Sequence, residues 1–286
     1  ASAQKDLSMC SFRLFGLQKP KEMEVWSTEV TDEDLKNAVE DEYGVKYSKD
    51  WKRLLKAPRN LDGVYSIRIG VKVIANKAFC FCESLVNINI PKGITSIGNG
   101  AFSDCKSLTN INIPNTVKSI GDDAFSECKF LTSITIPDNV TSIGEFAFSD
   151  CESLTNINIS KSLTTIKDWT FLRCYSLGNI NIPDRLTSIG NGAFYDCKSL
   201  TNIKIPNTVA SIGYSAFSYC KSLTSINIPD GVTSIGEGAF EDCGSLTSIN
   251  IPNGLTNIGI GAFGECNSLS SQVKSNIIQR FGKNVF

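Results

Sequence analysis

A chain of 286 residues that is 41% hydrophobic and 20% charged has the composition of a folded globular protein rather than a disordered one. Its formal net charge is −1 and it has no dense run of Lys and Arg, which argues against nucleic acid and anionic membranes as partners. The sequence contains no histidine, which excludes Ser-His-Asp catalysis, Cys-His catalysis and histidine-based metal sites. No apolar stretch reaches the roughly 20 residues that a membrane-spanning helix requires, so we expect no span.

The first 30 residues follow no recognisable pattern, and we assign them no fold. The opening "ASAQKD" holds no signal peptide, but its small residues are similar to the tail of a cleavage region. Two origins fit that stretch: an exported precursor that has been trimmed, or a cloning remnant. We expect an exported chain in which residues 1 to 61 form an N-terminal segment and cap.

Signals for a helix and a hairpin follow within this cap. Thr31 is placed to cap a helix over "DEDLKNAVEDEY", which has three acids in its first turn and Gly44 just past its end. The next stretch, "YSKDWKRLL", predicts a hairpin that leads into a repetitive region. A solenoid needs such a lid because an open end exposes its core.

From residue 62 to residue 269 the chain repeats every 23 residues without an insertion or a deletion. Phenylalanine keeps the period from Phe79 to Phe263, and leucine keeps it from Leu85 to Leu269. A fixed period between about 20 and 50 residues predicts a solenoid. Nine cysteines mark nine coils: Cys82, Cys105, Cys128, Cys151, Cys174, Cys197, Cys220, Cys243 and Cys266.

Each coil predicts two short strands and a turn. In "LTNINIPNTVKSIGDDAFSECKS", Ile111 and Ile113 point to the core while Asn110 and Asn112 point outward, because side chains alternate along a strand. A proline ends this strand, "VKSI" forms a second extended piece, and "DDAFSEC" suits one helical or 3₁₀ turn. The predicted fold class is therefore an α/β repeat solenoid of nine 23-residue coils with short parallel strands.

The last residues predict a second cap. Ser271 starts a helix that carries Val273, Ile277 and Phe281 on one face, and "FGKNVF" completes the segment. Residues 270 to 286 thus form a C-terminal helical cap. Both ends are predicted to be lids rather than separate functional domains.

The repeat resembles the BspA-like, or Treponema-type, leucine-rich repeat of bacterial and protist surface proteins. The motifs that carry the resemblance are L-x-x-I-x-I-P, S-I-G and A-F-x-x-C at these spacings, over about residues 62 to 269. The resemblance implies a secreted or cell-surface bacterial protein located outside the cell. Because some members are adhesins, it also implies a protein or glycan ligand, for example a host matrix protein.

Stacked coils arrange the outward asparagines in two columns on the sheet. Asparagine is a poor strand former, so these columns need a compensating role. One hypothesis is a solubilising ladder of side-chain amides bonded from coil to coil, and the other is a flat polar surface for a ligand. The candidate ligand-binding residues on this face are Asn112, Asn158, Asn181, Lys204 and Asn227.

Departures from the repeat concentrate in "SKSLTTIKDWTFLRCYS", residues 160 to 176. Trp169 occupies a column that is otherwise mostly Gly, Asp or Ser, and Phe146 lies one coil earlier. Surface aromatic residues beside cations are typical of an interaction hot spot, whereas sequence drift with local aromatic packing is the alternative. The candidate ligand-binding residues here are Trp169, Phe146, Arg173, Lys167 and Tyr175.

The cysteine and carboxylate columns predict neither a metal site nor a catalytic site. Parallel neighbours in a column cannot form disulfides, and a straight line of thiols does not offer zinc four converging ligands, so we expect buried, metal-free cysteines. A bridge between Cys10 and Cys80 stays open as an alternative. Acidic residues also form a column between Asp104 and Glu265. Carboxylates of adjacent coils would lie about 5 Å apart, as in retaining glycosidases, but no pocket distinguishes one pair from the others. We expect no catalytic residue and no cofactor.

The sequence as a whole favours a monomeric, non-enzymatic binding or adhesion module that recognises a protein or a glycan. A passive structural spacer or envelope scaffold is the alternative. An enzyme is disfavoured because histidine, cofactor motifs and pocket signals are missing from the sequence.

Overall fold

The computed structural model describes residues 26–286, which form the predicted solenoid of nine coils. Each coil gives one strand to a first sheet and one strand to a second sheet. The chain then returns through a series of hydrogen-bonded turns, which we call the turn side. Parallel strands pair the same residue of successive coils, for example Ile111 with Ile134 and Ile120 with Ile143.

The first sheet takes the strand of the L-x-x-I-x-I motif from every coil. Its strands are β4 (Gly63–Ser66), β6 (Leu85–Asn89), β8 (Asn110–Asn112), β10 (Ser133–Thr135), β12 (Asn156–Asn158), β14 (Asn179–Ile180), β16 (Asn202–Ile203), β18 (Ser225–Asn227) and β20 (Ser248–Asn250). Between β16 and β18 the sheet narrows to a single bridge from Lys204 to Asn227.

The second sheet takes the second strand of each of the nine coils and, before them, β3 of the N-terminal cap. Its strands are β3 (Arg53–Lys56), β5 (Val73–Ile74), β7 (Ser96–Ile97), β9 (Ser119–Ile120), β11 (Ser142–Ile143), β13 (Thr165–Ile166), β15 (Ser188–Ile189), β17 (Ser211–Ile212), β19 (Ser234–Ile235) and β21 (Asn257–Ile258). Pairing along this sheet is interrupted between β11 and β13.

The turn side forms hydrogen-bonded turns, and the single 3₁₀-type turn predicted over "DDAFSEC" is present as i→i+3 bonds from Ser126 N–H to Asp123 O and from Cys128 N–H to Phe125 O. The backbone N–H groups that alternate with these donate to the next coil, so no longer helix forms. Phe125 N–H reaches Ala147 O over 2.8 Å, and Gly192 N–H reaches Tyr214 O over 2.7 Å. The turn side is therefore a third hydrogen-bond ladder along the solenoid, beside the two sheets.

The core is a continuous stack of the repeated apolar side chains. The phenylalanine rings from Phe79 to Phe263 lie 5.1–5.6 Å apart, centroid to centroid, with interplanar angles of 4–15°. A single coil offers too little apolar surface to fold alone, so stability comes from the contact of each coil with its neighbours.

The nine cysteines of the column are buried, as predicted. In eight of them the Sγ–H donates to a phenylalanine carbonyl 26 residues earlier, over 3.1–3.2 Å. Burial raises the pKa of these thiols, and it raises the pKa of Cys266, beside the C-terminal cap, to about 12. Cys10 lies outside the described residues, and with it the alternative of a bridge to Cys80.

The N-terminal cap begins as predicted and then departs from the prediction. Helix α1 (Asp32–Lys36) has a capping box in which Thr31 and Asp34 bond each other's backbone N–H, but it ends long before Gly44. Strand β1 (Val39–Glu40) instead pairs antiparallel with β2 (Lys46–Tyr47), and Gly44 serves this turn with φ +76°. The hairpin of β2 and β3 is present and joins the cap to the second sheet.

The C-terminal cap matches its prediction. Helix α2 (Ser271–Phe281) buries Ile277 against the last coil and is followed by a 3₁₀ turn, Lys283–Val285. Arg280 donates to the backbone carbonyls of Ile251, Pro252, Asn253 and Leu255 over 3.2–3.4 Å. Helix α2 is thereby fixed to the open end of the solenoid.

Alkaline pH should unfold the protein. A thiol whose pKa is raised in the folded state stabilises that state fully below its unfolded pKa of about 8.5, and this stability is lost as the pH rises towards the folded pKa. Between the unfolded and the folded pKa, each buried thiol lowers the free energy of unfolding by about 1.4 kcal/mol per pH unit. We therefore expect the melting temperature, followed by circular dichroism, to fall steeply between about pH 8.5 and 10.5.

A variant in which Cys128, Cys151 and Cys174 are all alanine is the control for this titration. It should start less stable at pH 7, because buried atoms are lost, and should lose less stability per pH unit. The same slope in the variant and in the native chain would assign the alkaline transition to tyrosine or lysine instead.

The cap also predicts the effect of a truncation. Deleting residues 271–286 exposes Phe263 and Leu269 of the last coil, and loss of order should spread inward, since each coil is held by its neighbours. We expect a lower melting temperature and aggregation, measured by calorimetry and size-exclusion chromatography. Gln279→Ala, on the exposed side of α2, is the control that should change neither. A truncated chain that stays monomeric with an unchanged melting curve would show that the segment is not a lid.

Candidate binding surfaces

Trp169 lies in a backbone conformation that tryptophan rarely adopts. Its φ is +57°, and the corresponding residue of every other coil also has φ between +49° and +60°. This left-handed conformation explains why the column is mostly Gly, Asp or Ser. A bulky residue there costs of order 1 kcal/mol, and Phe146, with φ +54°, has the same cost one coil earlier.

The indole of Trp169 is packed on both faces. The ring of Phe146 stacks on one face, with centroids 6.2 Å apart and an interplanar angle of 11°. The other face covers the backbone of Gly192 in the following coil, where a Cβ would collide with the ring and come within 2.6 Å of its Cδ2 atom. Trp169 is thus half-buried.

Two further rings extend this pair along the axis. Tyr195 lies 5.8 Å from Trp169 and Tyr219 lies 5.3 Å from Tyr195, centroid to centroid, with tilts of 60° and 53°. We call Phe146, Trp169, Tyr195 and Tyr219 the aromatic ridge, which crosses four successive coils. Neither Tyr195 nor Tyr219 is among the candidates named from the sequence.

The other predicted hot-spot residues lie beside the ridge rather than in it. Arg173 reaches Asp150 at 3.5 Å, and this carboxylate raises the pKa of the guanidinium. Tyr175 lies under the ammonium of Lys198, 4.0 Å from its ring centroid. Lys167 does not approach the rings: its Nζ lies 4.0 Å from Asp122 Oδ1, two coils earlier.

Carboxylates of the acid column are engaged by neighbouring cations. Each of five lies within 4 Å of a lysine or arginine nitrogen, and none forms a carboxylate pair in a cleft. The five acids are Asp104, Glu127, Asp150, Asp196 and Asp242. Their backbone is left-handed, with φ between +54° and +60°. The column therefore serves the turns and ion pairs of the surface, and the flank of the ridge presents balanced charge.

The asparagine face of the first sheet is separate from the ridge. Asn112, Asn158, Asn181, Lys204 and Asn227 are all exposed there. The predicted amide ladder does not run through it, because within residues 26–286 its amides bond a neighbouring coil only at Asn89 and Asn250. Threonines at the edge of the sheet provide side-chain bonds between coils instead, as in Thr155 Oγ1 to Thr132 O at 3.1 Å. The asparagine amides remain available to a ligand.

In residues 26–286 no cluster of three or more cysteine or acidic side chains could hold a metal ion. No helix in this part of the chain is long and apolar enough to cross a membrane.

The chain belongs to the family of the BspA type leucine rich repeat region. Residues 72–200 and 187–286 match that family, in six copies. No curated protein matches the sequence.

Several solved bacterial structures are similar to the chain. A leucine rich cell surface protein from Faecalibacterium prausnitzii A2-165 is 27% identical over 81% of this chain and 80% of that one, with a TM-score of 0.48. A leucine-rich repeat protein from Eubacterium ventriosum is 24% identical over 82% of this chain and 51% of that one, with a TM-score of 0.50, and supports the fold alone. The T. pallidum leucine rich repeat protein is 25% identical over 88% of this chain and 95% of that one, with a TM-score of 0.47.

The packing of Trp169 predicts a double-mutant result. Gly192→Ala should lower the free energy of unfolding by about 2 kcal/mol or more, because the new Cβ meets the indole ring. Gly261→Ala is the matched control: its φ is +60°, but nothing lies within 4 Å of the new Cβ, so it reports the backbone cost alone. In a protein that already carries Trp169→Gly, adding Gly192→Ala should lower the free energy of unfolding only as much as the control substitution does. All of these free energies are measured by urea unfolding. Equal losses at Gly192 and Gly261 would contradict the packing described here.

Proposed function

We propose that this protein is a non-enzymatic binding and adhesion module that recognises a protein ligand through its aromatic ridge. The observation that carries the proposal is the pair of bulky side chains, Phe146 and Trp169, in adjacent left-handed positions. Other coils place Gly, Asp, Ser or Lys at this position, so the fold itself does not demand an aromatic residue. Backbone strain that the fold does not require is characteristic of functional sites.

The ring geometry favours a protein over a glycan at the ridge. A sugar stacks on an exposed ring face, but both faces of Trp169 are covered, which leaves only the edges of this half-buried ring to a ligand. Ring edges carry partial positive charge and suit the faces of other aromatic rings and carbonyl oxygens. Because Arg173 and Lys198 are already paired with Asp150 and Asp196, the flank does not select a strongly charged ligand. Trp, Tyr and Arg are also the residues enriched in protein hot spots.

The asparagine face is the second candidate surface. Its free amides offer donors and acceptors in two columns, and hydrogen bonds of this kind suit the hydroxyls of a glycan. Asn112, Thr135 and Asn158 lie side by side in register on three successive coils. A glycan that binds there would run along the solenoid axis.

Location and assembly complete the proposal. We place the protein outside a bacterial cell, secreted or on its surface, which follows from the family resemblance. The buried cysteine column fits either side of a membrane and does not decide this point. Both ends of the described solenoid are covered, by the β1–β2 hairpin and by α2, which blocks end-to-end stacking and favours a monomer.

A passive spacer is the alternative function. The stacking of Trp169 between Phe146 and Gly192 favours it, because such packing contributes to stability without any ligand. A spacer would leave both candidate surfaces without a partner.

Binding measurements separate these alternatives. The purified chain is applied to an array of matrix proteins and glycans, and affinities are compared for Trp169→Gly, Phe146→Ser and Arg173→Asp. Each substitution introduces a residue that other coils carry at that position, so the coil stays intact. We expect Trp169→Gly to weaken binding to a matrix protein by about 2 kcal/mol or more, as at an interface hot spot.

Substitutions on the other surface are the matched control. Asn158→Ser and Asn227→Ser also introduce residues found in the repeat and should leave protein binding unchanged. If they weaken binding while the ridge variants do not, the ligand lies on the asparagine face. An array without any bound ligand would support the spacer.

A further inference from the structure

The second sheet lacks its hydrogen-bond ladder at one step. At seven steps a glycine N–H donates to the isoleucine carbonyl of the preceding coil, over 2.9–3.0 Å. These donors are Gly98, Gly121, Gly144, Gly190, Gly213, Gly236 and Gly259. The corresponding residue of the fifth coil is Lys167, whose N–H has no acceptor within residues 26–286, and β11 does not pair with β13.

The side chain of Lys167 explains the missing bonds. Glycine stands in this column because the preceding coil leaves no space for a Cβ atom. A Cβ would come within 2.5 Å of Asn99 N at Gly121 and within 2.6 Å of Asn191 N at Gly213. Atoms in a packed interior do not approach so closely, so a side chain at this position pushes the two coils apart. Lys167 has such a Cβ and therefore separates the fourth and fifth coils on this side.

The same step stays bonded on the other two sides. On the first sheet Ile134 pairs with Ile157, and on the turn side Phe148 N–H donates to Thr170 O over 2.9 Å. In the core, the rings of Phe148 and Phe171 stay stacked at 5.6 Å, the same distance as between Phe240 and Phe263. The coils are thus joined along two sides, and at the proline turn Ser160 donates its hydroxyl to Val140 O over 2.6 Å, so only the second sheet lacks its backbone ladder at this step.

Side chains replace part of the missing backbone ladder. Thr170, where other coils carry alanine, is buried and donates its hydroxyl to Lys167 O at 2.9 Å, with Gly144 O of the preceding coil at 3.5 Å. Lys167 Nζ reaches back to Asp122 at 4.0 Å. Side-chain contacts of this length are weaker and more adaptable than the strand pairing they replace.

We infer that Lys167 makes this step a joint of the solenoid, at which the first four coils and the last five open and close along the second sheet. The aromatic ridge crosses the joint, with Phe146 before it and Trp169 after it. In a regulatory role that rests on the proposed function, opening of the joint changes the spacing of these two rings and hence the surface offered to a protein ligand.

Hydrogen exchange of individual amides tests the joint without any ligand. In the native chain the amides of Thr164 and Lys167 should exchange faster than those of Thr141 and Gly144, which are bonded to Lys118 and Ile120. Lys167→Gly should restore the ladder and slow exchange at residues 164 and 167 by about tenfold or more, since bonded amides exchange only after local opening. Lys167→Ala is the matched control that keeps the Cβ but removes the ammonium, and it should exchange like the native chain.

Two outcomes overturn the joint: unchanged exchange in Lys167→Gly, or equally slow exchange in Lys167→Ala. The regulatory role is tested on the array of matrix proteins, where Lys167→Gly should shift affinity at least threefold relative to Lys167→Ala, since both variants lack the ammonium and only Lys167→Gly closes the joint. Slowed exchange with unchanged affinity would keep the joint and remove its link to binding. If no matrix protein binds the native chain, the proposed function and its regulation fail, while the exchange result still decides the joint.

Discussion

Successive coils are held at the spacing of hydrogen-bonded backbones, and this close contact determines most other features of the molecule. Strands about 4.8 Å apart bring identical positions of neighbouring coils into contact. Phenylalanine rings then stack at 5.1–5.6 Å, and cysteine is small enough to lie between layers and bond a carbonyl. Where two backbones approach most closely, as at Gly213, a side chain has no room. The distance between coils therefore determines which residue types recur in the 23-residue consensus.

Sequence reasoning predicted the features that follow from this repetition and missed the features that depend on competition between elements. The period, the inward isoleucines and the buried cysteines could be predicted, because they recur nine times. The long N-terminal helix was wrong because Val39 and Glu40 pair with a neighbouring strand, and Gly44 turns that hairpin instead of ending a helix. Capping signals at Thr31 identify where a helix begins, but tertiary pairing decides where it ends.

The candidate site could be predicted only in part. Trp169 and Phe146 were found because both depart from the same column. Tyr195 belongs to a different column, and only the geometry of the turn side brings its ring against Trp169. The left-handed backbone did leave a signal, since a column that mixes Gly, Asp and Ser is typical of positive φ. With that signal recognised, an aromatic residue there is conformationally costly, and not only a departure from the consensus.

The hydrogen-bond ladder of the turn side also affects which asparagine residues deamidate. Asparagine followed by glycine deamidates when the glycine nitrogen attacks the side-chain amide to form a succinimide. At Gly100 and Gly192 that nitrogen is bonded to the next coil over 2.7 Å, so the attack requires a bond between coils to break first. Gly254 follows Asn253 in an exposed turn, and within residues 26–286 its N–H has no acceptor. Among these three pairs, slow loss of ammonia over the life of the protein is therefore concentrated at Asn253, beside the C-terminal cap.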